Sequence, residues 1–308
     1  MRAISIVTIA DKAKNQTLSY VSVAPKIVKH LSYDPPRRPS RPQNPNRNRT
    51  IAHAITITLM LLMVFLYTST PTPALGSDYT NRALQHPELQ FTAIVNPSTG
   101  PGAPPYPGSL YIEAVTRLNT IANVQTIGYI DTAGGSKSGK SIISEIATYS
   151  GWFANPTLAL HGIFFDRTPY ENTNQANELL RNISAAVKHA DGFRFPRLVV
   201  QNPGRVPDPE LVNSYVDLTI VYEGPYAKVP SRDVLREKLK GLPDRRENYG
   251  VLVHSMREGL GNVQIRKTIN GLKQVVGGVY LSDFKGKGAY MSFQKRSLGI
   301  RSRQFWNA

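Results

Sequence analysis

From residue 89 to residue 282 the chain alternates short apolar runs of strand length with longer stretches of helical period. No other feature restricts its fold as tightly. The strand candidates are Phe91–Asn96, Gln125–Ile130, Ala159–Phe165, Leu198–Gln201, Leu218–Tyr222, Val251–His254 and Val279–Ser282. Between them the helical patterns are Leu110–Ile121, Ser141–Tyr149, Asn174–His189, Glu210–Tyr215, Arg232–Leu239 and Val263–Val275. The Asn174 segment carries the 3.6 period most clearly, with Ala176, Leu179, Leu180, Ile183 and Val187 on one face. Parallel neighbours need a crossover, and a helix supplies it, so this alternation predicts a parallel sheet with helices outside.

Seven strands leave a parallel barrel one short of closure. The missing one has a candidate in Leu59–Tyr67, inside the apolar run Ile51–Tyr67. That run is also near the lower limit for a membrane span and follows basic residues, as a single-pass anchor would. Ala74-Leu75-Gly76 offers a small-residue cleavage site as a further alternative. The same residues cannot both cross a bilayer and line a barrel. An unclosed barrel leaves two sheet edges bare, which favours the strand. The expected architecture is a (β/α)8 TIM-type barrel over residues 68–293, with 51–67 as first strand or anchor. Residues 1–50 form a disordered basic extension ending in a Pro/Arg-rich stretch, and 294–308 a basic tail.

Charge follows the same division. Residues 1–50 hold 10 Lys/Arg against 2 Asp/Glu, residues 51–225 hold 10 against 13, and residues 226–308 hold 17 against 6. The net +16 therefore sits at the ends. Aromatic residues are not interleaved with the basic runs and no nucleic-acid module accompanies them, so no nucleic-acid partner is expected. With no cysteine and no metal-ligand spacing among six histidines, neither a disulfide nor a metal or other cofactor is expected. Asn182-Ile183-Ser184 is a glycosylation sequon, of consequence only on the secretory path.

Two of the apolar runs end in a carboxylate: Leu160-His161-Gly162-Ile163-Phe164-Phe165-Asp166 and Leu218-Thr219-Ile220-Val221-Tyr222-Glu223. Strand ends at the C-terminal rim are where a parallel barrel builds its site. Two acids facing one cleft suffice to hydrolyse a glycosidic bond. The other strand ends supply candidates for contacting a sugar: Tyr67, Asn96, Tyr129, Asn202, Tyr226, His254 and Asp283. A competing motif is Gly134-Gly135-Ser136-Lys137-Ser138-Gly139-Lys140-Ser141, which matches the phosphate-binding loop GxxxxGK[ST] at every fixed position. Asp131-Thr132-Ala133 separates it from its strand, where a phosphate loop turns at once.

The chain resembles the fungal spherulation-specific family 4 (spherulin-4) proteins through most of residues 60–293. The resemblance is carried by Phe91-Thr92-Ala93-Ile94-Val95-Asn96-Pro97-Ser98-Thr99-Gly100-Pro101-Gly102, Thr126-Ile127-Gly128-Tyr129 and Ala147-Thr148-Tyr149-Ser150-Gly151-Trp152. His161-Gly162-Ile163-Phe164-Phe165-Asp166, Asn202-Pro203-Gly204 and Val253-His254-Ser255 match as well. It implies a (β/α)8 glycoside hydrolase, acting without cofactor on α-linked galactosamine and N-acetylgalactosamine polysaccharide at the fungal cell surface or matrix. A monomer, secreted or anchored, would suffice. The family's catalytic Asp falls on Asp166 and its catalytic Glu on Glu223. Where the family usually has an acid after that Asp, this chain has Arg167. Beside Asp166, Arg167 is expected to favour the ionised form, which suits a nucleophile, and leaves Glu223, near Tyr222 and Tyr226, as acid/base. The departure keeps open a catalytically impaired barrel that binds polysaccharide, and the GxxxxGK[ST] pattern keeps open nucleotide binding through Gly134–Ser141.

Overall fold

The computed structural model describes residues 80, 81, 83–85, 87, 90–243, 245–256 and 260–282, with the strand segments 3–5, 58–60 and 62–66. Its centre is one all-parallel sheet of eight strands in unbroken sequence order. These are β1 (Leu62–Leu66), β2 (Phe91–Val95), β3 (Val124–Asp131) and β4 (Gly162–Asp166). Then follow β5 (Leu198–Asn202), β6 (Leu218–Pro225), β7 (Tyr249–His254) and β8 (Gly278–Leu281). Helices α1 (Ser109–Asn119), α2 (Gly139–Gly151), α3 (Asn174–His189), α4 (Arg232–Leu239) and α5 (Asn262–Leu272) supply crossovers. This is the order of a TIM-type (β/α)8 fold.

The ambiguous apolar run resolves as a strand. Leu62–Leu66 pairs in parallel with Phe91–Val95, Leu62 opposite Phe91 and Leu66 opposite Val95. Residues held in that ladder are not available to a membrane helix, and no helix among the described residues is long and apolar enough to cross a bilayer. Thr58–Met60 pairs separately with Ala3–Ser5, so a piece of the extension expected to lack structure is in a strand. The Pro/Arg-rich stretch, the Ala74-Leu75-Gly76 site and residues 294–308 lie outside the described residues.

Helix α3 forms where the 3.6 period placed it. Thr173 caps it by accepting from the Ala176 amide at 3.1 Å, and Lys188 and His189 close its last turn against the helix dipole. Ala176, Leu180, Ile183 and Val187 are buried. The sequon lies inside this helix, and the hydroxyl of Ser184 is buried and accepts from Gln201 at 3.0 Å. One expected helix is absent: Glu210–Tyr215 is reduced to the single 3-10 turn Pro209–Leu211. Asn213 accepts from the Tyr215 amide through its own side chain at 3.1 Å, a local bond that competes with helical pairing.

Parallel register decides which side chains share a face. Tyr129, Phe164, Val200 and Leu218 stand in one row across β3 to β6. The rows on either side face the helices, where Gly128 meets Tyr149 of α2 and Gln201 meets Ser184 of α3. Tyr149 is fully buried and its hydroxyl donates toward the carbonyls of Val95 (3.1 Å) and Tyr129 (2.9 Å) while accepting from the Tyr129 amide at 3.2 Å. It packs edge-on against the buried Trp152, 4.8 Å between ring centres, so Trp152 belongs to the core.

A Cβ at Gly128 would stand 2.8 Å from the Tyr149 ring, closer than any side chain tolerates. Gly128→Ala should therefore destabilise the fold by about 1–3 kcal/mol, the usual range for overpacking. A urea midpoint equal to the parent's would show that the Tyr149 contact is not constrained as described.

Candidate active site

At the C-terminal end of the sheet the next register row is Asp131, Asp166 and Asn202, one residue from each of β3, β4 and β5. Tyr129, two residues before Asp131, reaches up from the row below and donates its hydroxyl to Asp166 Oδ2 at 2.6 Å. Its ring lies over Phe164, 6.1 Å between centres. Asn202 donates from Nδ2 to Asp166 Oδ1 at 2.8 Å and to Glu223 Oε2 at 2.6 Å. Four of the expected site residues, Asp166, Glu223, Tyr129 and Asn202, thus form one hydrogen-bonded cluster.

Glu223 reaches this face because of an irregularity. Thr219 and Ile220 pair with Tyr249 and Gly250, but the next partner of β7 is Tyr222, which leaves Val221 as an extra residue. In a straight strand Glu223 would share the face of Thr219 and Val221, away from Leu218 and Ile220. The bulge reverses the alternation, as bulges near active sites do, and turns the carboxylate toward Asn202. Gly204 completes the arrangement. At φ 68 it gives its amide to Asn202 Oδ1 at 3.1 Å and takes the Glu223 amide on its carbonyl at 3.0 Å.

The expected effect of Arg167 on Asp166 is not what the geometry gives. Arg167 adopts the left-handed region at φ 50, and its carbonyl is held by the Gly134 amide at 2.8 Å and the Thr132 hydroxyl at 2.8 Å. Its guanidinium turns to Asp131, with Nε donating to Oδ1 at 2.8 Å and Nη2 to Oδ2. Burial pushes Asp131 upward, but Arg167, the Ala133 amide and Lys137 together hold it below its usual value. Asp166, by contrast, is raised. Burial is the main cause, the Tyr129 hydroxyl opposes it, and the neighbouring charge of Glu223 adds to it. Burial and then Asp166 also keep the Tyr129 phenol protonated far above its ordinary range. Asp131 was legible in the sequence by the signal that marked Asp166, an acid closing an apolar run.

The remaining candidates are placed differently. Tyr226 follows β6 but turns outward: its hydroxyl meets Thr268 of α5 at 2.8 Å, and it lines a groove of about 800 Å³ with Arg232 of α4 and Lys267 of α5. His254, lowered by burial, ends β7 with Nδ1 2.7 Å from Ser255 Oγ. Asn96 is buried at the end of β2, where its carbonyl accepts from Tyr111 at 3.0 Å. Tyr67 and Asp283 lie outside the described residues. His161 sits at the other end of β4, accepting from the Thr126 amide at 3.2 Å, and burial with Arg194 pushes it down to about 4. It is a neutral core acceptor.

In the phosphate-loop segment most backbone amides are engaged within the protein. A phosphate cradle needs free amides. Here the amide of Gly134 goes to Arg167, those of Gly135 and Lys137 to Thr132, and that of Ser136 to Ala133. The Ser141 amide is capped by Ser138 at 3.2 Å. Lys137 is paired with Glu145 at 2.5 Å. Among the described residues no group of His, Asp or Glu is arranged to hold a metal.

A family model described as spherulation-specific family 4 matches residues 61–299. Spherulin-4 of Physarum polycephalum is 31% identical over 122 residues, which cover 39% of this chain and 33% of that protein's length. Among solved structures, Sph3 of Aspergillus clavatus in complex with GalNAc is 28% identical, with a TM-score of 0.70 over 77% of this chain and 94% of Sph3. The fold described above is thus shared with Sph3 over nearly the whole of that chain.

The Arg167–Asp131 pair should leave a signature in stability. A depressed carboxyl contributes above its unfolded value, near 3.8, and the contribution disappears as pH falls through the lower folded value. Arg167→Gln should be less stable than the parent at neutral pH, with the difference shrinking in that acid window. A stability gap that stays constant from neutral pH to pH 3 would mean the pair is not the cause.

Proposed function

The chain belongs to the spherulation-specific family 4, and on that premise we propose that it is a glycoside hydrolase. Its substrate on this reading is α-linked galactosamine and N-acetylgalactosamine polysaccharide of the fungal cell surface or matrix. Asp166 and Glu223 are the carboxylate pair. The observation that carries the reading is Asn202. Oxygens at 2.8 and 2.6 Å from one nitrogen can be no more than about 5.4 Å apart, the sum of the two bonds. Retaining glycosidases hold their carboxyls about 5–5.5 Å apart, whereas inverting ones leave about 6.5–9.5 Å for a water. The spacing supports a covalent displacement.

The hydrogen bonds support a division of labour. Both oxygens of Asp166 accept, one from Tyr129 and one from Asn202. Two donors aimed at its oxygens support Asp166 as the nucleophile. Glu223 takes one such bond, from Asn202, and serves as the acid that protonates the leaving oxygen and then as the base that activates water. Arg167 does not enter this chemistry, because Asp131 holds its guanidinium. Its presence therefore removes neither Asp166 nor Glu223, which supports an enzyme over a binding barrel alone. The GalNAc bound to Sph3 supports the sugar class. A polysaccharide of this kind lies outside the cell, so the chain acts there, as a monomer and without cofactor.

The test is hydrolysis of purified galactosaminogalactan by the full chain. Asp166→Asn and Glu223→Gln should each lower kcat by about a thousandfold or more on polymer. On an aryl galactosaminide with a good leaving group Glu223→Gln should recover substantially in the first step, while Asp166→Asn should not. Because the nucleophile must be ionised and burial raises Asp166, the acid limb of kcat/KM should lie above the ordinary aspartate range. Full polymer hydrolysis by either variant would refute the pair.

A further inference from the structure

Asn202 stood among the sugar-contacting candidates, and its bonding argues for another role. A side-chain amide has two N–H donors and one carbonyl acceptor. Both partners of the nitrogen are carboxylates, Asp166 at 2.8 Å and Glu223 at 2.6 Å. The oxygen accepts from the Gly204 amide at 3.1 Å, which also fixes which way the amide is turned. The residue is 2% exposed. No donor remains for a sugar hydroxyl.

The surroundings immobilise it. Asn202 closes β5 in register with Asp166, and its own carbonyl accepts from the Thr168 amide at 3.1 Å. Gly204 binds the Asn202 side chain with its amide and the Glu223 backbone with its carbonyl, so one peptide turn ties β5 to the bulged half of β6. Two carboxylates this close in a partly buried site repel, and without a donor between them either the pair spreads or one member takes up a proton. A neutral amide that donates to both offsets that repulsion with two charge-assisted bonds and adds no charge of its own.

We propose that Asn202 is a positioning residue, a two-headed donor that sets the separation of Asp166 and Glu223 and offsets their mutual repulsion without touching substrate. This rests on the carboxylate-pair reading given above. The other titratable groups facing the pair are Tyr129 from β3, bonded to Asp166, and His254 at the end of β7. Asp131 stands in the same row but is tied to Arg167.

The experiment uses the full chain with Asn202→Asp, which keeps shape but replaces the donors with a third carboxyl, and Asn202→Ala, which removes the bridge. Kinetics on N-acetylated galactosamine polymer across pH are paired with carbon-13 NMR titration of the Asp166 and Glu223 carboxyls. In Asn202→Asp, kcat should fall about a hundredfold, the scale of an ångström's misplacement, with KM changed by less than about threefold. The acid limb and the carboxyl titrations should move upward together by about one pH unit or more. Asn202→Ala should lose kcat similarly. A variant in which KM rises while the pH profile and carboxyl titrations stay in place would make Asn202 a sugar ligand and overturn the proposal. Should the parent cleave no galactosamine polymer, the functional reading fails, and the carboxyl titrations still decide whether Asn202 couples the two acids. If Asn202→Asp does not fold, Asn202→Ala carries the same readouts.

Discussion

Parallel register is the constraint on which the rest of this molecule depends. A strand in a parallel sheet cannot slide by one residue without turning every side chain to the opposite face. Here the ladder places Tyr129 beside Phe164, and one turn of the pleat later Asp131 beside Asp166 beside Asn202. The same ladder sends Gly128 outward against Tyr149 and Gln201 outward against Ser184. Core and site are therefore successive rows of one lattice. What shifts the one disturbs the other.

Electrostatically the rim divides into two compartments. Asp131 and Arg167 form a closed pair at the edge, where the cation finds its partner one strand away from the acid it follows in sequence. Asp166 and Glu223 are left as a like-charged pair, supplied with donors that are neutral: a phenol and an amide. A cation at either position would have lowered the repulsion more strongly, but in the proposed mechanism it would also have bound an acid that must exchange a proton or form a bond. Neutral donors orient the acids and leave them reactive.

Much of this was legible in the sequence. The strand and helix series followed from periodicity, and the acids at 166 and 223 from their place at the ends of apolar runs. Leu62–Leu66 was ambiguous because it lies within the longer apolar run Ile51–Tyr67, which fits a strand or a short membrane segment, and only the ladder with Phe91–Val95 separates them. The partner of Arg167 was misjudged because proximity in sequence was taken for proximity in space. The left-handed backbone at residue 167 swings its side chain across to β3, and nothing in the identity of a non-glycine residue announces φ 50. Tyr226 misled for a related reason: its position just past β6 is compatible with either side of the wall, and its hydroxyl found Thr268 on the helical side. The Glu210–Tyr215 pattern was too short to outweigh the local bond of Asn213.

The extra residue at Val221 has a wider implication. It divides β6 into two halves that obey opposite inside–outside patterns, Leu218 to Ile220 in one phase and Tyr222 to Pro225 in the other. The first half fills the interior and the second carries the acid. The aim of Glu223 is thus set by a count of residues and not by the side chains that precede it. Substitutions beneath the cleft that keep this count keep the face on which the acid stands, whereas inserting or deleting one residue would turn Glu223 to the other side. In this strand, the freedom to vary and the obligation to stay fixed are separated by a single peptide.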